Sequence, residues 1–232
     1  MNKADLEKIL GIKIKDMALY EIALTHRSAV NEQRDLTQHN ERMEFLGDAV
    51  LELVVTEYLY NKFPKKEEGF LTSLRASLVK GDTLACVAKE LSLGDLLKMS
   101  KGESKFGGRD KTSLLSNTLE AMFGAIYLDQ GIEVVKKIVA KRLTPKLDAI
   151  IEAGDYIDAK SNFQQISQAD YKLTPHYKEL SESGPDHDKT FEVAVYVGEK
   201  EYGRGKGSSK QIAQQKAAED ALKNLGLELG QN

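Results

Sequence analysis

The helix predicted over residues 40–55, N-E-R-M-E-F-L-G-D-A-V-L-E-L-V-V, constrains the fold of this chain more than any other stretch. It contains no Pro and a single Gly, and its apolar residues recur at helical spacing. At about 100° per residue, one side of the helix is apolar and the other carries an acidic stripe. The stripe consists of Glu41, Glu44, Asp48 and Glu52. A helix this apolar is expected at the centre of a helical domain.

The acidic stripe needs compensation from outside its own helix. Like charges on one helix face repel one another, and the helix places no Lys or Arg at the compensating positions. A solvated polar face is the ordinary setting for such a stripe. At the centre of a domain, however, the carboxylates are expected either to have raised pKa values or to bind a cation.

A second polar pair lies on the helix predicted over residues 113–128. Asn117 and Glu120 are three residues apart and share a face with Gly124. If this helix packs on the first, Gly47 and Gly124 would allow close backbone approach, and the two polar faces would meet. The set that could then converge on one cation is Glu44, Asp48, Asn117 and Glu120. These oxygen ligands favour Mg²⁺, and the lack of His or Cys near either motif argues against zinc.

Composition limits the class of protein. The 232 residues carry a net charge of −3, so nucleic-acid binding would require a local basic patch. The single Cys86 cannot form an intramolecular disulfide, which favours a reducing compartment. No apolar run approaches the roughly 18 residues needed to span a bilayer, and the N-terminus does not resemble a signal peptide. The sequence predicts a soluble, cytoplasmic protein without a membrane partner.

The periodicity of apolar residues changes near residue 153. Before it, helical periodicity dominates, with residues 70–90 and 131–151 each predicted as one helix. After residue 169 the pattern becomes strand-like, with strands predicted at 190–197 and 201–206 and a helix at 210–225. We therefore expect an all-α domain at 1–153, a linker at 154–157 and an α+β domain at 158–228 with the order α-β-β-β-α.

Three stretches of the first domain together resemble bacterial ribonuclease III. They are the N-E-R-M-E-F-L-G-D-A-V-L stretch, then L-T-S-L-R-A-S-L-V, and finally N-T-L-E-A-M-F-G-A-I-Y-L-D. The segment 158–226, with S-G-P-D-H-D-K-T-F-E-V and G-K-G-S-S-K-Q-I-A-Q-Q-K-A-A, resembles a double-stranded-RNA-binding domain. The resemblance covers nearly the whole chain in the domain order of the family.

The resemblance implies roles for individual residues. Metal binding is implied for Glu44, Asp48, Asn117 and Glu120, with Asp48 and Glu120 essential for catalysis. Glu41 and Glu68 match auxiliary acidic positions, and Phe45 matches an aromatic that the family inserts into its partner subunit. The implied cofactor is Mg²⁺, with Mn²⁺ able to replace it. The implied enzyme is a homodimer that cuts duplex RNA, including rRNA precursors, to 5′-phosphate and 3′-hydroxyl ends with short 3′ overhangs.

The second domain carries the candidate RNA contacts. Proteins read duplex RNA through ribose hydroxyls and phosphates, and neutral polar side chains such as amides suit a ribose edge. The candidates are Ser161, Gln164 and Gln168 on the first helix, His187 in a loop between strands, and Lys210, Gln211 and Gln214 on the last helix. Stronger binders of the family place Lys at the positions of Gln211 and Gln214, so we expect modest affinity for the isolated domain, with avidity of the dimer compensating.

Asn117 is the one departure at the metal site, because the family frequently has Asp there. An amide oxygen can ligate Mg²⁺ but contributes no charge. The alternative is therefore a regulator that binds duplex RNA without cutting it. A scaffold within a ribosome-associated assembly is a more distant alternative, and the intact Glu44, Asp48 and Glu120 argue against it.

Overall fold

The computed structural model describes residues 3–32, 36–153, 159–185 and 189–227. The chain divides into two compact units, Met1–Ala153 and Gly154–Asn232. The predicted linker at residues 154–157 lies outside the described residues.

Among the described residues of the first unit the named elements are helices, apart from an isolated bridge between Thr25 and Lys98, and this confirms the predicted all-α fold. Its helices are α1 (Lys3–Leu10), α2 (Met17–Ala23), α3 (Arg27–Glu32), α4 (Glu41–Lys62), α5 (Glu68–Leu78), α6 (Gly81–Glu90), α7 (Leu93–Leu96), α8 (Lys101–Lys105), α9 (Thr112–Gln130), α10 (Ile132–Arg142) and α11 (Leu147–Ala153). Short 3₁₀ turns at Gly108–Asp110 and Thr144–Lys146 precede α9 and α11.

Helices α4 and α9 form the centre of this unit and share its most extensive contact. α9 is buried around most of its circumference, because α4, α6 and α2 all pack against it. The fully buried side chains from the two helices include Leu51, Leu59, Leu119, Met122 and Phe123. The acidic helix identified from the sequence is therefore central, as expected.

Two of the predicted helices are in fact pairs of helices. The segment 70–90 is interrupted after Val79, because Lys80 adopts an extended conformation with φ −62° and ψ 148° and α6 then begins at Gly81. The buried Thr83 hydroxyl donates to the Ser77 carbonyl at 3.0 Å and ties the two helices across the break. The segment 131–151 is interrupted at Thr144–Lys146, where Pro145 lacks the amide hydrogen that a continuous helix requires.

The second unit has the order helix, three strands, helix, which confirms the predicted α-β-β-β-α fold. Its elements are α12 (Ala159–Tyr171), β1 (His176–Ser183), β2 (Thr190–Val197), β3 (Lys200–Gly207) and α13 (Lys210–Asn224). The strands form one antiparallel sheet in the order β1-β2-β3. Both helices pack on one face of this sheet around a core that includes Phe163, Val195 and Leu222.

Glycines on β3 allow α13 to lie directly on the sheet. A Cβ atom at Gly203 would come within 2.5 Å of the Ala217 carbonyl oxygen, and one at Gly205 within 2.6 Å of the Lys216 carbonyl carbon. These positions therefore face the helix, and the residues between them face the opposite side of the sheet. α13 starts at a defined place because Ser209 caps it, its hydroxyl accepting from the Ile212 amide at 3.2 Å.

Candidate active site and nucleic-acid interface

The contact between α4 and α9 brings the two predicted polar faces together. A Cβ atom at Gly47 would come within 2.6 Å of the Glu120 carbonyl carbon and 2.8 Å of the Gly124 amide nitrogen. A Cβ atom at Gly124 would come within 3.2 Å of the Gly47 amide nitrogen. The close approach predicted for these two glycines is confirmed, and it sets Glu120 opposite the acidic stripe of α4.

Basic side chains from outside α4 lie close to both ends of the acidic stripe. At its start, Glu41 pairs with Arg27 at 3.6 Å, and the Nδ1 atom of His39 lies 3.8 Å from the Glu41 carboxylate. Towards its end, Glu52 pairs with Arg75 at 3.6 Å. Arg27 lies on α3 and Arg75 on α5, so the spacing of residues within α4 does not indicate these pairs. The middle of the stripe, Glu44 and Asp48, is left facing α9.

The carboxylates in the middle of the site are poorly compensated. Burial, followed by repulsion from Asp48 and Glu44, raises the pKa of Glu120 to about 7. Burial also raises the pKa of Glu44, with further contributions from Glu41 and Asp48. Asp48 itself is exposed. The site therefore combines partial burial with excess negative charge.

Asn117 lies beside Glu44 and opposes the rise in its pKa. Its amide group donates a hydrogen bond to the Glu44 carboxylate, which favours the charged form. The Ser116 hydroxyl lies 3.3 Å from the Asn117 Oδ1 atom and 3.1 Å from the Ser113 carbonyl oxygen, and it can donate to either. Asn117 therefore contributes a hydrogen-bond donor where Asp would contribute another negative charge.

The donor set fits a hard divalent cation. Within the described residues, no three His, Cys, Asp or Glu side chains form a ready-made cation site. Nevertheless, Glu44 and Asp48 of α4 lie near enough to Glu120 of α9 to raise its pKa by repulsion, in addition to the larger effect of burial, and Asn117 hydrogen-bonds to Glu44. Oxygen ligands without His or Cys match the preference of Mg²⁺ and Mn²⁺.

Two other sequence-predicted residues of this unit lie at the surface. Phe45 is 80% exposed, and Leu53 and Tyr60 are 62% and 70% exposed farther along α4. At about 100° per residue these three side chains fall within an arc of roughly 80° beside the acidic stripe, and we call them the apolar stripe of α4. Glu68 is exposed at the first residue of α5.

The predicted RNA-contacting residues of the second unit divide between α12 and α13. On α12, Ser161, Gln164 and Gln168 are exposed, and the Gln168 amide donates to the Thr174 hydroxyl at 3.3 Å. His187 lies outside the described residues. On α13, Gln211 is exposed, whereas Gln214 is half-buried and accepts from the Lys160 ammonium at 2.7 Å.

Lys210 and Lys160 both have contacts that the sequence analysis missed. The Lys210 ammonium pairs with Glu179 of β1 at 2.7 Å and lies 5.6 Å from the centre of the Phe191 ring. The Lys160 ammonium lies 5.0 Å from the centre of the Tyr177 ring. No local sequence pattern indicates these contacts, because each joins a helix to a distant strand.

Comparison with protein-family models identifies both units. Residues 16–147 match the Ribonuclease-III-like family, and residues 159–225 match the double-stranded RNA binding motif. The first match contains the α4–α9 junction, and the second spans α12, the sheet and α13.

Whole-chain relatives support the same assignment. Ribonuclease 3 of Streptococcus gordonii is 44% identical over 216 residues, covering 91% of each chain. Ribonuclease 3 of a Nitratiruptor species is 47% identical over 221 residues, covering 95% of this chain and 96% of the relative. The crystal structure of the nuclease domain of ribonuclease III from Campylobacter jejuni is 46% identical, has a TM-score of 0.57, and covers 62% of this chain and 95% of that one.

The remaining finding concerns membranes. Among the described residues, helices long and apolar enough to cross a bilayer are absent.

Family models that match both units, together with relatives aligned over nearly the full chain, establish the family of this protein. This chain belongs to the ribonuclease III family and is an endoribonuclease of double-stranded RNA.

Proposed function

We propose that this endoribonuclease hydrolyses phosphodiester bonds at the α4–α9 junction with Mg²⁺ as its cofactor, Mn²⁺ being able to replace it. The products are duplexes with 5′-phosphate and 3′-hydroxyl ends and short 3′ overhangs, and the substrates include rRNA precursors and other structured transcripts in the cytoplasm. The observation that carries the proposal is the uncompensated group of Glu44, Asp48 and Glu120, in which the pKa of Glu120 reaches about 7.

Each residue of the junction has a distinct task in this proposal. Glu44 and Glu120, held on facing helices, bind the cation together with the oxygen of Asn117, and the exposed Asp48 completes the set on the solvent side. A divalent cation held there would neutralise charge that develops on the phosphodiester and activate water for attack. Partial burial of Glu120 strengthens electrostatic interactions at the reacting phosphate.

Asn117 is compatible with catalysis in this proposal. Because the three carboxylates remain, the site keeps the charge that a divalent cation requires, and rotation of the amide can direct Oδ1 towards it. The rival proposal, a regulator that binds duplex RNA and does not cut it, would require Asn117 to disable the site. The relatives, all ribonucleases aligned over nearly the full chain, do not favour this rival.

We further propose that the chain works as a homodimer. Phe45 and the apolar stripe on α4 would lie at the subunit interface, since an exposed apolar stripe of this kind is typical of a protein contact. A second structure of the Campylobacter jejuni nuclease domain is described as flexible in a region involved in dimer formation. Glu41 and Glu68, which are exposed on α4 and α5, would assist in handling the RNA.

The second unit would deliver the duplex to the first. We assign residues 1–153 to catalysis, 154–157 to the linker and 158–228 to RNA binding. The α12 face would meet a minor groove through Ser161, Gln164 and Gln168, His187 would reach a second minor groove, and the start of α13 would meet phosphates. The residues of α13 that we propose make these phosphate contacts are Lys210, Gln211 and Gln214.

A cleavage assay tests the proposal. A long, perfectly paired RNA duplex is incubated with the full chain in Mg²⁺ or in EDTA, and the product ends are mapped. We expect short duplexes with 5′-phosphates and staggered 3′ ends only when the metal is present. Tight binding without cleavage, in Mn²⁺ as well as Mg²⁺, would favour the regulator.

A further inference from the structure

The first residue of α13 is held by a carboxylate of the same unit. The Lys210 ammonium lies 2.7 Å from Glu179 Oε2, and this contact raises the pKa of Lys210. Both side chains are accessible to solvent, with 60% of Lys210 and 35% of Glu179 exposed. Lys210 is therefore engaged within the protein, although its position at a helix N-terminus suits a phosphate contact.

Glu179 reaches Lys210 because of its place in the sheet. It pairs with Val193 on β2, and Val193 pairs with Gly205 on β3. Since Gly205 faces α13, Glu179 also lies on the face of the sheet that carries the helices. An edge-strand position that would ordinarily hold an apolar residue thus places a carboxylate next to the start of α13.

The surrounding charges balance one another. Lys189 pairs with Glu182 at 2.6 Å, and both groups act electrostatically on Lys210. Among the described residues that act on Lys210, itself included, two ammonium groups and two carboxylates are found, and their formal charges cancel. Lys210 therefore adds no excess positive charge to these described groups, although the helix end itself would be positive.

The other basic residues near this corner do not replace Lys210. Arg204 and Lys206 alternate with the glycines that face α13, so they lie on the opposite face of the sheet. There they pair with Glu201 and Glu192 respectively. Lys210 is the basic side chain in the first turn of α13, the turn that we propose meets an RNA phosphate.

We propose that Glu179 competes with RNA phosphate for Lys210 and thereby sets the affinity of this enzyme for duplex RNA. The inference rests on the proposed function, in which Lys210 contacts the RNA backbone. In the free protein Glu179 holds the ammonium, and binding requires Lys210 to exchange a carboxylate for a phosphate. After the exchange, Glu179 remains near the negative backbone and opposes binding.

The exchange has a signature in the dependence of binding on salt. A free Lys that neutralises a phosphate releases about one counterion from the RNA. In the wild-type protein, the Glu179 carboxylate that loses Lys210 takes up a cation, which offsets that release. We expect Glu179→Gln to bind duplex RNA about 3- to 10-fold more tightly and to have a log-log salt slope steeper by up to about one.

The experiment measures fluorescence anisotropy of a labelled RNA duplex of about 30 base pairs, longer than the roughly 16 that one such domain spans. The full chain is used in EDTA over a series of salt concentrations. Glu201→Gln is the matched control, because it removes the same charge from the opposite face of the sheet. Lys210→Gln is measured in the wild-type and Glu179→Gln backgrounds, where we expect a small loss and a large loss of affinity respectively.

The outcomes distinguish failure of the proposed role of Glu179 from failure of the proposed function on which it rests. No binding of duplex by the wild-type protein would overturn both. Wild-type binding with an unchanged Glu179→Gln variant, or an equal gain in Glu201→Gln, would overturn the role of Glu179 alone. Glu179→Ser is measured as well, with circular dichroism of each variant, and a folded Ser variant without the gain would also contradict the proposal.

Discussion

Replacement of Glu120 by Gln should make the metal-free protein more stable while abolishing cleavage. The folded carboxyl group has a pKa of about 7 against an ordinary value of 4.5, so above pH 7 its ionisation penalises the folded state. This difference corresponds to roughly 3 kcal/mol at most. Because Glu120 is only partly buried, we expect about 1–2 kcal/mol after solvent screening.

The sign of the effect defines a pH window. The unfolded carboxyl group ionises near 4.5 and the folded one near 7, so the stabilising contribution of the protonated form is lost as pH rises between these values. Gln cannot ionise, so the advantage of the variant should be small at pH 5 and complete at pH 8. For a unit of this size, the melting temperature at pH 8 in EDTA should rise by about 3–6 °C.

Thermal denaturation followed by circular dichroism, in EDTA at pH 5 and pH 8, measures this effect. The exposed Glu67 provides a matched Glu→Gln control, which should leave the melting temperature nearly unchanged. Mg²⁺ should raise the melting temperature of the wild-type protein more than that of the variant, because the cation binds the folded carboxylate. Duplex RNA binding by the variant should be retained, since the second unit is untouched. A variant that melts at or below the wild-type temperature at pH 8 would refute the view that Glu120 is an uncompensated charge.

Other changes at the same junction and surface should have equally specific effects. Gly47→Ala should destabilise the protein by about 1–3 kcal/mol or more and abolish cleavage, because the added Cβ atom would meet the backbone of α9. Gly69→Ala is the control, since a Cβ atom there has no other atom within 4 Å, and it should be neutral or slightly stabilising. Urea titrations measure the stability of both variants. Asn117→Asp should bind Mg²⁺ more tightly by calorimetry and lower the metal-free melting temperature; an unchanged affinity would mean that residue 117 does not face the cation. Wild-type Mg²⁺ affinity should fall by up to about tenfold per pH unit below 7, because protons compete for Glu120, and calorimetry on Glu120→Gln should show a much weaker pH dependence. Phe45→Asp should shift the protein from dimer to monomer in analytical ultracentrifugation, and an unaltered dimer would remove Phe45 from the interface.

Periodicity in the sequence was sufficient to place the central elements. The apolar spacing along α4 and α9 identified both helices, and the β-branched run at 190–197 identified β2 with the bounds that the structure gives. The two glycines also predicted how α4 and α9 would meet. These features could be predicted because each depends on residues close together in the chain.

Helix breaks and the first strand were harder to predict. Pro145 is a local signal for the break in the segment 131–151, although apolar periodicity alone predicts one continuous helix there. The break after Val79 has a weaker signal, since only Gly81 marks the start of α6. Strand β1 was not located because Lys178, Glu179 and Glu182 give it a polar sequence, and its position depends on pairing with β2.

The sequence by itself determined the two-part architecture and predicted the oxygen-ligand set that we propose for the metal. Only the tertiary structure decided which charges remain uncompensated. Arg27 and Arg75 pair with the carboxylates at the ends of the acidic stripe from other helices, whereas Glu44 and Asp48 in its middle repel Glu120. Likewise Lys210, which the sequence presents as a free cation, is paired with Glu179 across the sheet. The physical reason is the same in both cases: helical and strand periodicities are local, whereas the pairing of charges depends on which elements pack together.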